Sequence, residues 1–226
     1  MPADPALYPV VLDLAGRRCL VVGGGTVAAG KVAGLVTAGA LVTVVAPHVG
    51  PAIQTIADAD AEAEAEAGGL AGSVTVHRRP YRTGEAADYR LVFTATGIGE
   101  VDGAVAADAD GAGIWVNSAD DPARCSFTLP SVHRDGPVNI AVSTGGASPA
   151  LAIWLRRRIG QALGPSLGTL ALLLEGGRRQ LQATGRPTES VDWQTLLDGP
   201  LPELVRQGRL PEARQLLAEA AGVDLV

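Results

Sequence analysis

Short apolar runs and helical periodicity alternate along the first half of the chain. Cys19-Leu20-Val21-Val22 is an uninterrupted apolar run that ends at three glycines, Gly23 to Gly25, and from Val27 to Ala38 small and apolar residues recur at helical spacing. The pattern predicts strand, tight turn, helix. A second run, Leu41 to Ala46, starts just after Gly39 and stops at Pro47, completing a β-α-β unit whose strands are expected to be parallel with a right-handed crossover. From Asp58 to Gly69 acids alternate with alanine, which spreads charge around a helix and reads as a solvated helix end or loop. Val74-Thr75-Val76, Leu91 to Ala95 and Ile114-Trp115-Val116 read as further strands, the last two separated by an Ala-rich helical segment beginning near Val101. Residues 1–116 therefore predict one open α/β domain with a parallel sheet.

Beyond residue 116 the pattern changes. Ser126 to Pro130 and Val138 to Val142 flank Arg134-Asp135-Gly136, which predicts a β-hairpin too small to stand alone within residues 117–148. After Ser148-Pro149 the spacing is helical through Leu151, Trp154, Leu155 and Ile159, and again through Leu170 to Leu174, Leu196-Leu197 and Leu216-Leu217. Residues 149–226 are thus expected to be helical, with breaks at Gly164-Pro165 and Gly185-Arg186-Pro187.

A chain of 226 residues with 47% hydrophobic and 19% charged positions has enough apolar material for a sizeable core, which excludes disorder throughout. The net charge is -6, and the densest basic stretch is Arg156-Arg157-Arg158, so no nucleic-acid partner is expected. The chain start lacks the pattern of a signal peptide and no apolar span approaches ~20 residues, which leads us to expect a cytoplasmic protein with no membrane partner. Cys19 and Cys125 belong to no Cys-x-x-Cys pair or Cys/His cluster, so buried structural thiols are expected and no metal site.

The candidate chemistry begins at the glycines. Gly23-Gly24-Gly25-Thr26-Val27-Ala28 fits G-x-G-x-x-[GA] between a strand and a helix, the context that a dinucleotide fingerprint needs. Gly23 permits the tight turn, Gly25 lets backbone approach a pyrophosphate, and Ala28 allows close helix packing, while free N–H groups at the helix start attract the anion. This makes the first domain Rossmann-type. The acidic ribose partner usual ~20 residues on is absent, because the second strand ends in Ala46-Pro47-His48, and no Arg replaces it. NAD is the expected cofactor, and the spacing does not separate it from NADP. His48 reads either as a contact to the adenosine or as an exposed loop residue.

Five segments then line up in order: Val21 to Lys31, Thr94-Ala95-Thr96, Asn117 to Pro122, Ser126 to Ser131, and Ser143 to Pro149. Over roughly residues 8–160 they resemble the precorrin-2 dehydrogenase/sirohydrochlorin ferrochelatase family, including the N-terminal module of siroheme synthases. The resemblance implies NAD-dependent oxidation of the tetrapyrrole precorrin-2 to sirohydrochlorin, in some members followed by insertion of ferrous iron, on a homodimer whose hairpins interlock. It implies a cofactor held by Gly23, Gly25, Thr26 and Val27, with Pro47, His48 and Thr96 lining its far side. The residues expected to meet the substrate are Asn117, Ser126, Ser143, Gly145, Gly146 and Ser148, and Ser126 reads equally as a strand serine at a dimer contact. Ser143 to Pro149 precedes a helix, so its N–H groups suit a propionate or acetate, and Ser148 with Pro149 equally reads as a plain helix cap. Lys31, the only lysine, reads as a functional contact or as a surface residue.

One position departs from the resemblance. Family members tend to carry an Asp directly after the T-x-T-like strand end, where this chain has Gly97. Glu100 and Asp102 follow closely, and Asp120 and Asp121 come from the next strand end, on the sheet edge where α/β sites lie. Asp120 and Asp121 are the expected catalytic carboxylates, and dehydrogenation is expected ahead of metal insertion, which depends more on an anionic group to take pyrrole protons. The competing reading is a Rossmann module that senses a dinucleotide or tetrapyrrole without turnover.

Overall fold

Val, Leu and Thr runs too short for a stable helix become strands wherever helices can cover both of their faces. In the computed structural model, which describes residues 7–67 and 72–222, this happens five times: β1 (Arg18–Val22), β2 (Leu41–Val45), β3 (Ser73–His77), β4 (Leu91–Thr94) and β5 (Trp115–Ser118). They form one parallel sheet in the order β3-β2-β1-β4-β5, with Val21 of the central strand in register with Val44 and Phe93. Cys19, Val21, Val42, Val44 and Phe93 face Ala28, Val32 and Leu35 of α1 (Thr26–Thr37). Leu20, Val22, Val92 and Val116 pack with Val105, Ala106 and Ala109 of α3 (Gly99–Gly111) on the other face. The Rossmann-type sheet expected from the sequence is therefore present, with strand order reversing at β1 so that a crevice opens at its carboxyl edge.

The alternating acids after Asp58 continue helix α2 (Pro51–Ala67), anchored by the fully buried Ile53, while Gly68 and Gly69 lie outside the described residues. The chain divides into two compact units, one of residues 8–128 and one built from residue 129 onward.

The hairpin is displaced from its expected place. Its strands are β6 (Ser131–Asp135) and β7 (Val138–Val142), so Ser126 to Pro130 is not its first strand. The reason lies in local hydrogen bonding. Ser126 N–H donates to Val116 O at 2.9 Å, Val116 N–H donates to Ser126 Oγ at 2.7 Å, and Asn117 Nδ2 donates to Phe127 O at 3.0 Å. Residues 125–127 are thereby strapped along β5, and Pro130 has no N–H to offer a ladder.

In the second unit α4 (Pro149–Leu163) packs on the hairpin, with Gly160 against the His133 ring, where a Cβ would stand 2.9 Å from it. Helices α5 (Leu167–Ala183), α6 (Trp193–Asp198), α7 (Leu201–Arg206) and α8 (Leu210–Ala221) enclose Leu170, Leu181, Leu201, Val205 and Leu217. Among the described residues no helix is long and apolar enough to cross a membrane.

Burial carries a pH consequence. It pushes the Cys19 thiol from 9.0 up to about 11 and, with the Asp108 carboxylate, raises the Tyr81 hydroxyl. Between those two values the unfolded chain loses the cysteine proton and the folded chain keeps it, so stability is present below pH 9.0 and is lost as pH rises towards about 11. Urea unfolding on either side of that window is expected to show the decline, and Cys19→Ala to flatten it.

Candidate functional site

The site is assembled from loops at the carboxyl ends of β1, β2, β4 and β5. Gly23 has φ +134°, and a Cβ there would stand 2.3 Å from Ala95 O. A Cβ on Gly24 would stand 1.8 Å from His48 O. The turn is therefore wedged between the loops that follow β4 and β2, and it is stitched by Gly23 N–H to Val45 O at 3.0 Å and Gly50 N–H to Gly24 O at 2.9 Å. Gly25 differs: nothing lies within 4 Å of its would-be Cβ.

Beside that open face begins α1, whose first turn carries no acid and whose N-cap, Gly25, provides no side-chain hydrogen bond. Ala29 N–H is bonded to Gly25 O, so the N–H groups of the exposed Thr26 and Val27 precede the intrahelical ladder. Uncapped donors and the positive end of the helix dipole suit an anion that approaches over Gly25. Pro47 and His48 are exposed beside the turn.

A cleft of about 230 Å³ lies at the ends of β4 and β5, lined by Gly97, Gly99, Asp102, Ser118, Asp120, Asp121 and Arg124. Asp102 is 4% exposed, and its Oδ1 accepts from Thr94 Oγ1, from Thr96 Oγ1 at 2.7 Å and from Thr96 N–H at 3.2 Å. Ser118 is 5% exposed and its Oγ is buried without a hydrogen-bond partner. Asp121 accepts Ala123 N–H at 3.0 Å and pairs with Arg124 at 3.1 Å, and Arg124 in turn donates to Gly99 O at 2.8 Å. Asp120 is exposed at the cleft. The expected carboxylates thus differ in their freedom, since Asp121 holds the turn after β5 and Asp120 meets water. Among the described residues no three His, Cys, Asp or Glu side chains converge as a metal cluster.

Of the residues singled out in the sequence, Gly23, Gly25, Thr26, Val27, Pro47, His48 and Thr96 share this carboxyl edge. Asn117 and Ser126 hold the strap on β5 through their side chains. Lys31 is half-buried with Nζ 5.8 Å from the Phe93 ring, and burial lowers its pKa. That ring packs edge-on against Phe127 at 5.5 Å, so the lysine belongs to a packed cluster. Sequence reasoning passed over Gly24, which the fingerprint leaves free, and Ser118, which carries no local signal.

In the second unit the loop of residues 143–148 has its hydroxyls engaged. Ser143 Oγ accepts Gly145 N–H at 3.2 Å, Thr144 Oγ1 accepts Ser148 N–H at 3.1 Å, and Ser148 Oγ caps α4 by accepting Leu151 N–H at 3.2 Å. Gly145 and Gly146 have φ +61° and +87° with open space where Cβ atoms would be, so the loop presents bare backbone. Arg156, Arg157, His133 and Gln161 border a shallow depression on α4, and Leu151, Ile153 and Trp154 of that helix are exposed.

Comparison with known proteins follows this division. A family model described as putative NAD(P)-binding matches residues 10–131, more than half of the chain, and one described as the central part of sirohaem biosynthesis protein matches residues 135–162. The chain is 38% identical over 215 residues to a siroheme synthase of Methylococcus capsulatus, covering 94% of this chain and 43% of that protein. It is likewise 38% identical over 219 residues to a siroheme synthase of Gluconacetobacter diazotrophicus, covering 95% and 44%. The chain therefore spans less than half the length of these relatives. Among solved structures, one titled SirC, precorrin-2 dehydrogenase, superposes with a TM-score of 0.69 at 26% identity, covering 94% of this chain and 100% of that one.

Proposed function

Because the chain belongs to the putative NAD(P)-binding family and is similar along nearly its whole length to siroheme synthases, we propose that it is a precorrin-2 dehydrogenase that uses NAD. Precorrin-2 gives up a hydride and a proton and becomes sirohydrochlorin. The similarity to SirC along nearly the whole chain supports that substrate. The observation that carries the reading is the open face of Gly25 beside an uncapped helix start, on the same sheet edge as a cleft holding an unpartnered buried hydroxyl.

In this reading Gly23 shapes the turn, and Gly25, Thr26 and Val27 hold the pyrophosphate through backbone N–H groups. Pro47 and His48 adjoin the adenosine and Thr96 lies towards the nicotinamide. The dinucleotide, when bound, supplies a hydride acceptor. The substrate is a polyacid, and the bare backbone of Gly145 and Gly146 with the start of α4 offers N–H groups to its carboxylates. We further propose a homodimer in the cytoplasm, supported by the apolar side chains that α4 leaves exposed.

The test is an anaerobic assay of precorrin-2 with NAD and, separately, with NADP. Stoichiometric appearance of reduced nicotinamide and of the sirohydrochlorin spectrum is expected with NAD. Tight NAD binding without turnover would instead identify a sensing module. Ferrous iron added afterwards reads metal insertion separately.

A further inference from the structure

The cleft at the ends of β4 and β5 holds two buried polar groups that the hydrogen bonds around them leave unused. Ser118 is 5% exposed and lines the cleft, and among the described residues its Oγ has no hydrogen-bond partner. Asp102 is 4% exposed and lines the same cleft. The Thr94 and Thr96 hydroxyls and Thr96 N–H all donate to its Oδ1, so the carboxylate is held in one orientation while Oδ2 receives none of these bonds. Leaving such groups unpaired is unfavourable, so their natural complement is a bound molecule that offers an acceptor to the hydroxyl and a donor to the carboxylate oxygen.

We propose that this complement is the carboxamide of the nicotinamide ring, with Ser118 Oγ donating to its oxygen and Asp102 Oδ2 accepting from its N–H. The assignment rests on the dinucleotide reading of this sheet edge and deepens it, because it names the side chains that recognise the reactive end of the cofactor. A primary carboxamide carries acceptor and donor on one flat edge, which matches a hydroxyl and a fixed carboxylate oxygen in a cleft of about 230 Å³.

Charge selects against the other ligand of the reaction. Asp102, Asp120 and Asp121 line the cleft together with one cation, Arg124, which is itself spent on Asp121 and on Gly99 O. A carboxylate of the polyacid substrate is repelled there, whereas the oxidised nicotinamide ring carries positive charge. Thr94 and Thr96 act as positioning residues, because they fix Asp102 from the strand end. Asp120, exposed on this cleft, takes no part in the contact and is left free for the proton that the oxidation releases.

Calorimetry with three probes tests the assignment: NAD, nicotinic acid adenine dinucleotide, in which a carboxylate replaces the carboxamide, and ADP-ribose, which lacks the ring. The wild-type protein is expected to bind NAD at least about tenfold more tightly than the acid analogue, because that carboxylate meets Asp102. Asp102→Asn keeps an amide oxygen for the three donors at Oδ1 and puts an N–H donor in place of Oδ2, so the preference for NAD is expected to shrink by about tenfold or more. Ser118→Ala is expected to weaken NAD binding by about fivefold. ADP-ribose affinity and the melting curve are expected to stay at wild-type values in both variants. An unchanged preference in Asp102→Asn would overturn the assignment, as would unchanged NAD affinity in Ser118→Ala. So would a loss of ADP-ribose affinity in parallel with NAD, which would put the contact on the ribose. If Asp102→Asn does not fold, the Ser118→Ala comparison decides alone. The three probes need no substrate, so NADH formation from precorrin-2 by the wild-type protein tests the dehydrogenase reading separately and the two failures are told apart.

Discussion

Gly25→Val is expected to leave the fold intact and to abolish NAD binding. Gly25 has φ -86°, an ordinary value for any residue, and its would-be Cβ meets no atom within 4 Å, so the free protein accommodates a side chain there. The isopropyl group then occupies the space over the Thr26 and Val27 N–H groups, through which a pyrophosphate must come. Losing two charge-assisted hydrogen bonds at about 1.5–3 kcal/mol each corresponds to an affinity at least about a hundredfold weaker. Calorimetric titration with NAD measures the loss, and an unchanged melting curve shows that it is not misfolding. Wild-type affinity in this variant would remove the glycine turn from the cofactor site.

Its neighbour is expected to behave in the opposite way. In Gly24→Ala the new methyl group would lie 1.8 Å from His48 O and 3.1 Å from the Ala46 Cβ. Two backbone segments must separate, and the bond from Gly50 N–H to Gly24 O is strained with them. Overpacking against backbone together with a weakened hydrogen bond gives a loss of about 2–4 kcal/mol, or about 10 °C in melting temperature. Differential scanning calorimetry of the two alanine variants side by side is the check. Gly25→Ala should melt with the wild type, and a Gly24→Ala protein that also did so would refute the wedge.

These adjacent glycines show what the sequence discloses and what it hides. The fingerprint identifies Gly23 and Gly25 because their roles depend on neighbours along the chain, a turn and a helix start. Gly24 owes its identity to the loop after β2, and no local pattern encodes that approach. The same distinction runs through the fold. Strands β1, β2 and β4 are legible as continuous apolar runs because helices bury both faces. The hairpin is misread by several residues because Ser126 and Phe127 look like strand and in fact pair with β5 through Ser126 and Asn117. Asp102 was visible as an acid near a strand end. Only the fold shows that Thr94 and Thr96 hold its Oδ1, and only the fold shows Ser118 without a partner.

The strap over residues 125–127 also governs how molecules of this protein meet one another. An outer strand with vacant amide and carbonyl groups recruits strands from other chains, the first step towards fibres. By donating to Val116 O and accepting from its N–H, Ser126 fills such vacancies on β5. Growth of the sheet by added chains is thereby obstructed on the β5 flank and left to β3 alone.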